Sequence, residues 1–198
     1  MTLTVIPVTG LPEVRHGDDL PALIAGAADL QDGDVVVVSQ KVVSKVEGAV
    51  VSLQAGEGAA EARRRLAREQ ATEVVADSPW VLIVRTRHGL VCANAGIDAS
   101  NVEPGLLTLL PDDPDRSARL IRDGLRAAAG VDVAVIVSDT FGRPWRNGQT
   151  DVAIGVAGLV PVRDERGAAD RFGTTLDVTE AAVADELAGA ADLVRTKA

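Results

Sequence analysis

A chain of 198 residues that is 46% hydrophobic can bury one compact core, and residues 1–198 read as a single folding unit. The net charge of -9 leaves no basic face for a phosphate backbone, which argues against a general nucleic-acid binder. No apolar run approaches the roughly 20 residues needed to cross a bilayer, and no basic-then-apolar leader opens the chain, so no membrane partner is expected. A lone Cys92 gives no disulfide framework or thiolate metal cluster, and fits a reducing cytoplasm.

Along the chain, Leu3 to Val8 reads as a short strand and Gly10 to Asp19 as a loop punctuated by Gly and Pro. Leu20, Leu23, Ile24 and Ala27 recur at helical spacing. Asp32-Gly33-Asp34 is a turn before Val35 to Val38, a continuous apolar run expected of a strand covered on both faces. Ser39 to Gly48 follows; a helix starting at that strand end would aim its first N–H groups at an anion and place Lys41 and Lys45 on one face. A solvated lysine face is the plain alternative.

Residues 57 to 76, rich in Ala, Arg and Glu, predict one amphipathic helix with the Arg63 to Arg65 run in solvent. Trp80 to Val84 and Leu90 to Ala93 flank Arg85 to Gly89 as a hairpin. Further on come a helix over 115 to 129, a buried strand from Val131 to Val137 and a Gly-interrupted strand region from Val152 to Val162. Thr179 to Val194 reads as a last helix, opened by Asp177 with Glu180 at capping-box spacing. The alternation predicts an α+β (mixed α/β) domain.

Two polar segments, Asn94 to Asn101 and Ser138 to Thr150, each follow an apolar run. Asp98 comes soon after Leu90-Val91-Cys92, and Asp139 and Thr140 sit at the end of Val131 to Val137. Carboxylates and a hydroxyl therefore emerge where buried strands reach the surface. Oxygen donors of this kind suit magnesium or manganese, and Lys45, Arg143 and Arg146 could neutralise phosphate charge. Helix or turn capping is the ordinary use of an isolated loop Asp. Phe141 and Trp145, two of only four aromatics, lie in the second segment, either to pack it onto the body or to serve the site. Cys92 reads as a core thiol and His16 and His88 as surface histidines. The phosphate-binding G-x-x-x-x-G-K-[ST], the dinucleotide G-x-G-x-x-G, the G-x-S-x-G elbow and H-E-x-x-H are absent.

Gly10-Leu-Pro, Gly17-Asp-Asp-Leu20, Asp32-Gly-Asp34, Ser44-Lys45 with Glu47-Gly48, and Ala95-Gly-Ile-Asp-Ala-Ser-Asn-Val102 occur in one order and spacing. Leu110-Pro111 with Asp113-Pro114, Ser138-Asp-Thr140 with Gly142-Arg143, and Ala184-Asp-Glu186 continue it. In this register the chain resembles the coenzyme F420-0:L-glutamate ligases from Val5 to about Val194, including the ligase domain of the two-domain bacterial enzymes, without their carboxy-terminal flavin-binding domain. The resemblance implies a two-lobed α+β fold in an intertwined homodimer. It implies GTP-dependent joining of L-glutamate to the phospholactyl end of the deazaflavin precursor F420-0, then addition of gamma-linked glutamates.

Carried over by motif, Asp98 and Asp139 correspond to ligands of one divalent cation, magnesium or manganese, and Thr140 to a ligand of a second. Leu11, Pro12, Glu13, Val14, Gln40, Lys45 and Asn101 correspond to the GTP site; Gln40 departs from the Ser common there. Lys45 and Arg143 are the candidate catalytic cations, and the loop from Phe141 to Gln149 a wall over the deazaflavin. The family's chains continue past the last helix into an apolar strand and Gly-rich segment, so the resemblance implies that this chain lacks that contribution to the nucleotide and second-metal sites. A non-catalytic GTP- or deazaflavin-binding module, or a metal-dependent phosphohydrolase, would use the same residues.

Overall fold

The computed structural model describes residues 2–195. In chain order its elements are α1 (Leu20–Ala27), β1 (Val35–Ser39), α2 (Gln40–Glu47), β2 (Val50–Ser52), α3 (Ala59–Glu69), β3 (Ala71–Asp77), β4 (Leu82–Thr86) and β5 (Val91–Ala93), then β6 (Leu106–Thr108), α4 (Pro114–Ala129), β7 (Ala134–Gly142), β8 (Gln149–Ala157), β9 (Arg163–Asp164), β10 (Glu180–Ala181) and α5 (Val183–Asp192). This is the mixed α/β class expected.

The four-valine run of β1 pairs in parallel with β7, from Val35↔Ala134 to Ser39↔Ser138. On its other side β7 pairs antiparallel with β8, with a register shift between Val137 and Ser138. Val36, Val38, Val135 and Val137 pack into one core with Leu20 and Ile24 of α1 and Ala118, Ile121 and Leu125 of α4. On the opposite face, Ile136 packs with Ala184 and Ala188 of α5, and Val37 leans against them. Helices on both faces explain why these strands read as unbroken apolar runs rather than as alternating ones.

Local chemistry fixes the helix ends. The Asp19 carboxylate accepts the Ala22 N–H at 3.0 Å to open α1, and Asp113 accepts the Arg116 N–H at 2.8 Å to open α4, with Pro114 in its first turn. Gly48, at φ +74°, closes α2 in the left-handed region.

A second core forms where Ala62, Leu66 and Ala67 of α3 meet Leu82, Val84, Ile97 and Leu107. It is framed by the antiparallel sheet β3-β4-β5 and the two-stranded β2-β6 pair. These two apolar clusters are the two lobes.

Several sequence expectations are corrected. Thr2 to Val8 forms no strand: Leu3 and Ile6 are 67% and 76% exposed, because no neighbouring strand pairs with them. The helix predicted over 57 to 76 spans only Ala59–Glu69, and Ala71–Asp77 pairs with β4 instead. The β-branched cluster Thr72, Val74 and Val75 favours strand there. The hairpin around Arg87 to Gly89 forms, but Trp80 lies outside it and is almost fully exposed. β7 runs five residues past Val137, so the polar stretch from Ser138 to Gly142 is strand, not loop. β8 ends at Ala157, where Gly158 turns to φ +82°.

The last helix starts at Val183 rather than Thr179. Asp177 and Glu180 do not cap it. Glu180 instead pairs with Asp164 in a β10–β9 ladder and bonds Arg166, and the helix opens on Ala182 with no side-chain cap. Strands β2, β6, β9 and β10 carried no separate sequence signal, being two or three residues long. Among the described residues, no helix is long and apolar enough to cross a membrane.

Candidate active site

The parallel pair of β1 and β7 sets the site. β1 stops at Ser39, opposite Ser138, and α2 begins immediately at Gln40, while β7 continues through Asp139 and Thr140. Ligands of open α/β sheets collect at this carboxyl end of parallel strands, and the first N–H groups of α2 face the same region.

Asp98 reaches this place from the other lobe. After β5 the chain turns through Asn94 and Ala95, both at positive φ, buries Ile97, and bridges to Thr108 through Asp98 N–H to Thr108 O at 3.2 Å and its reciprocal bond at 2.9 Å. With its backbone pinned, Asp98 accepts the Ser100 N–H at 2.8 Å and the Ser100 hydroxyl at 3.0 Å. Lys41, in the first turn of α2, places Nζ 2.7 Å from Asp98 Oδ2 and donates to Ser100 Oγ at 2.7 Å. Burial would push the Asp98 carboxyl up, but the Lys41 ammonium and the two Ser100 donors outweigh it and hold the group at about 2. Lys41 is thus not part of a merely solvated lysine face. It locks the two lobes together at the site.

Asp139 is the contrasting carboxylate. It has no ion pair among the described residues, and burial pushes it up to about 7; the Thr140 N–H and Lys41 oppose this, and the charges of Asp151 and Asp98 add to it. Its neighbour Cys92, on the β5 strand against β7, is buried, and burial together with the Asp139 charge pushes the thiol up to about 12. That thiol is unreactive at neutral pH.

Ser138 and Thr140 alternate with Asp139 and therefore project from the opposite face of β7. There the Ser138 hydroxyl donates to Asp151 Oδ2 at 2.9 Å and the Thr140 hydroxyl to Asp151 Oδ1 at 2.8 Å. Arg195 closes the group, 2.8 Å from Asp151 Oδ2. The structure thus gathers Asp98, Lys41 and Asp139 on one side of β7 and sets Thr140 apart on the other.

The candidate nucleotide residues fall on the α2 side of the molecule. Leu11, Pro12, Glu13 and Val14 form the loop before α1, and Glu13 Oε1 lies 2.5 Å from Lys45 Nζ, in the last turn of α2. Beside this loop is an open cavity of about 440 Å³ lined by Pro12, Glu13, Arg15, Asp18, Asp19 and Leu23. Gln40 is fully buried; its Oε1 accepts the Ser44 hydroxyl at 2.9 Å, and among the described residues its Nε2 has no partner. Asn101 is exposed at φ +55°.

Arg143 turns back onto its own hairpin, donating to Asn147 O, and Trp145 is 72% exposed at the hairpin tip. His16 bonds Val46 O from an exposed position, and His88 bonds Pro111 O at the tip of the β4–β5 hairpin.

Hard-cation chemistry can be judged on these donors. A half-buried carboxylate paired with no side-chain cation among the described residues, Asp139, beside a second carboxylate, Asp98, is a donor set a divalent cation would satisfy. Among the described residues, no three His, Cys, Asp or Glu side chains converge in metal-holding geometry. A cation there would therefore also rely on oxygens from substrate. Sequence reading overlooked Asp151, Ser100 and Arg195. Asp151 had one available signal, a carboxylate opening an otherwise apolar strand.

Fold and site together define a mixed α/β protein with a carboxylate-lined site where a helix opens at the end of a parallel strand pair. The family model described as F420-0:Gamma-glutamyl ligase matches residues 10–198, and the chain belongs to that ligase family. It is 44% identical over 215 residues to the Coenzyme F420:L-glutamate ligase of Methanothermobacter thermautotrophicus, covering 100% of this chain and 85% of that protein. It is 44% identical over 209 residues to the protein of that name from Methanopyrus kandleri, covering 100% of this chain and 83% of that protein. The likeness to the Haloarcula marismortui protein, also so named, is 46% over 210 residues, covering 97% of this chain and 81% of that protein. The family resemblance read from the motifs is borne out.

Proposed function

We propose that this chain is a GTP-dependent ligase that joins L-glutamate by an amide bond to the phospholactyl end of F420-0, and then adds gamma-linked glutamates. The observation that carries the reading is the pairing of a half-buried carboxylate without an ion-pair partner among the described residues, Asp139, with the Lys41-held Asp98 where α2 opens. Two divalent cations, magnesium or manganese, when bound would neutralise phosphate charge and polarise the transferred phosphoryl group. Asp98 and Asp139 would hold one of them, and Thr140 the other.

The chain's own groups position the reactants. Leu11 to Val14, Gln40, Lys45 and Asn101 line the GTP site on this reading, and Lys45 grips phosphate after exchanging its Glu13 partner for the nucleotide. The γ-phosphoryl group leaves GDP and bonds to a carboxylate oxygen of the precursor. The glutamate amine then attacks that carboxyl carbon, inorganic phosphate departs, and the amine gives up a proton. Arg143 would join the catalytic cations by leaving Asn147 O, and the β7–β8 hairpin with Trp145 would wall off the deazaflavin. Positioning and charge neutralisation carry most of such a phosphoryl transfer.

The enzyme is proposed to act in the cytoplasm as a homodimer. Leu3, Ile6, Phe172 and Val178, each at least two-thirds exposed, are apolar surface that a second copy would cover. The function is tested by mass spectrometry of the deazaflavin after incubation with GTP, L-glutamate and manganese, with GDP followed in the same tube. Glutamylated product that needs both GTP and glutamate is expected. GTP loss without product would instead mark a phosphohydrolase, and binding without turnover a non-catalytic module.

A further inference from the structure

We infer that Asp151 is a positioning residue that turns the Thr140 hydroxyl into an obligate acceptor aimed at a cation; the inference rests on the reading that Thr140 holds one. Asp151 is only 5% exposed, and a buried carboxylate is costly unless its oxygens are satisfied. Here both are. Oδ1 takes the Thr140 hydroxyl at 2.8 Å, and Oδ2 takes the Ser138 hydroxyl at 2.9 Å and the Arg195 guanidinium at 2.8 Å.

A hydroxyl has one proton to give and two lone pairs to offer. Thr140 spends its proton on Asp151, directly opposite in the β7–β8 ladder, so its lone pairs are presented outward and its orientation is fixed by the strand register. Ser138 spends its proton in the same way, but its oxygen also accepts from Arg195 Nη2 at 3.1 Å. Of the two hydroxyls on this face, Thr140 is therefore the one left with an uncommitted oxygen. Arg195 balances the Asp151 charge and leaves the carboxylate free to act only as an acceptor.

The test is Mn²⁺ titration followed by the electron paramagnetic resonance of free manganese, on the wild type, Asp151→Asn, Thr140→Val and the double variant. Asn keeps the shape but loses the charge and one acceptor. The Asp151→Asn change should weaken one Mn²⁺ site about 10- to 100-fold, the usual cost of losing a residue that orients a ligand, and move the Asp98–Asp139 site only by the few-fold expected from losing one nearby charge. In the Thr140→Val background it should add nothing further, whereas a merely structural role would lower both sites in either background. Arg195→Gln, which leaves the acceptor in place and removes a nearby positive charge, should leave the same site at least as tight, and serves if Asp151→Asn does not fold: a weaker site there would overturn the role. Wild-type Mn²⁺ binding in Asp151→Asn with weakened binding in Thr140→Val would overturn the role of Asp151 alone. Unchanged binding in Thr140→Val would overturn the Thr140 cation site and this role with it.

Discussion

Asp139→Asn should make the metal-free protein more stable while abolishing metal-dependent turnover. The folded protein holds this carboxyl at about 7 against 3.8 for the free group. A carboxyl raised in the folded state favours folding only while it is protonated, so its contribution is lost as pH climbs from about 4 to about 7. The rise from 3.8 to about 7 is worth about 4 kcal/mol above pH 7, at about 1.36 kcal/mol per pH unit. Asp139 is only half-buried, and solvent screening brings the expected gain for Asn to about 2–4 kcal/mol at pH 8. For a domain of this size that is a Tm rise of about 5–10 °C. Urea denaturation in EDTA at pH 8 and pH 4 measures it: the advantage should be large at pH 8 and nearly vanish at pH 4. Added Mn²⁺ should then stabilise the wild type by about 2.7 kcal/mol at a hundred times its Kd, and the variant much less. Equal stabilities at pH 8 without metal would refute the reasoning, because Asp139 would then already be compensated. Near-normal turnover in the variant would remove it from the cation site.

Gly155→Ala should destabilise the fold by about 2–3 kcal/mol in urea denaturation, because its new Cβ would fall 2.2 Å from Pro114 O, a backbone atom that cannot swing away. Lys41→Met removes the cation that holds Asp98 at about 2. A depressed carboxyl stabilises the fold above its free value of 3.8 and loses that as pH falls toward 2, so the variant's acid-unfolding midpoint should move to higher pH. Glu13→Gln frees Lys45. Because Glu13 is 73% exposed, stability should change by less than about 1 kcal/mol, while the KM for GTP falls if Lys45 grips phosphate.

What the sequence disclosed depended on whether burial or pairing decided the outcome. Val35 to Val38 and Ala134 to Val137 lie in the doubly covered sheet, and their unbroken apolar runs are the signature of that environment; Val131 and Val133, read with the second run, precede β7, and Asp132 between them is exposed. Residues 71 to 77 misled because they follow α3 without a Gly or Pro break, although Thr72, Val74 and Val75 favour the strand that pairing with β4 completes. Leu3 to Val8 misled in the opposite sense: it carries strand-like apolar residues and no strand lies beside it. At the site, Asp98, Asp139 and Thr140 could be singled out as residues, but not the faces they occupy. Thr140 follows Asp139 in sequence, yet one step along a strand sends it to the other side. The partners Lys41 and Arg195 were equally hidden, since they come from 57 residues before Asp98 and 44 after Asp151.

The charge balance of the site explains how so acidic a chain could receive a nucleotide. Asp98, Asp139 and Asp151 approach the end of the β1–β7 pair, and two of them carry a protein cation, Lys41 and Arg195 respectively. The third is left with its charge opposed by burial, in a molecule whose net charge is -9. A triphosphate entering this region would meet an excess negative charge, with Lys45 committed to Glu13 and Arg143 to its own turn. On the proposed reading, a divalent cation held by Asp98 and Asp139 would satisfy Asp139 and offset the local negative field, leaving Lys45 and Arg143 to meet the phosphates. On that reading the carboxylate that destabilises the bare protein would also supply affinity for the ion, and the cost of burying it would be recovered in the loaded site.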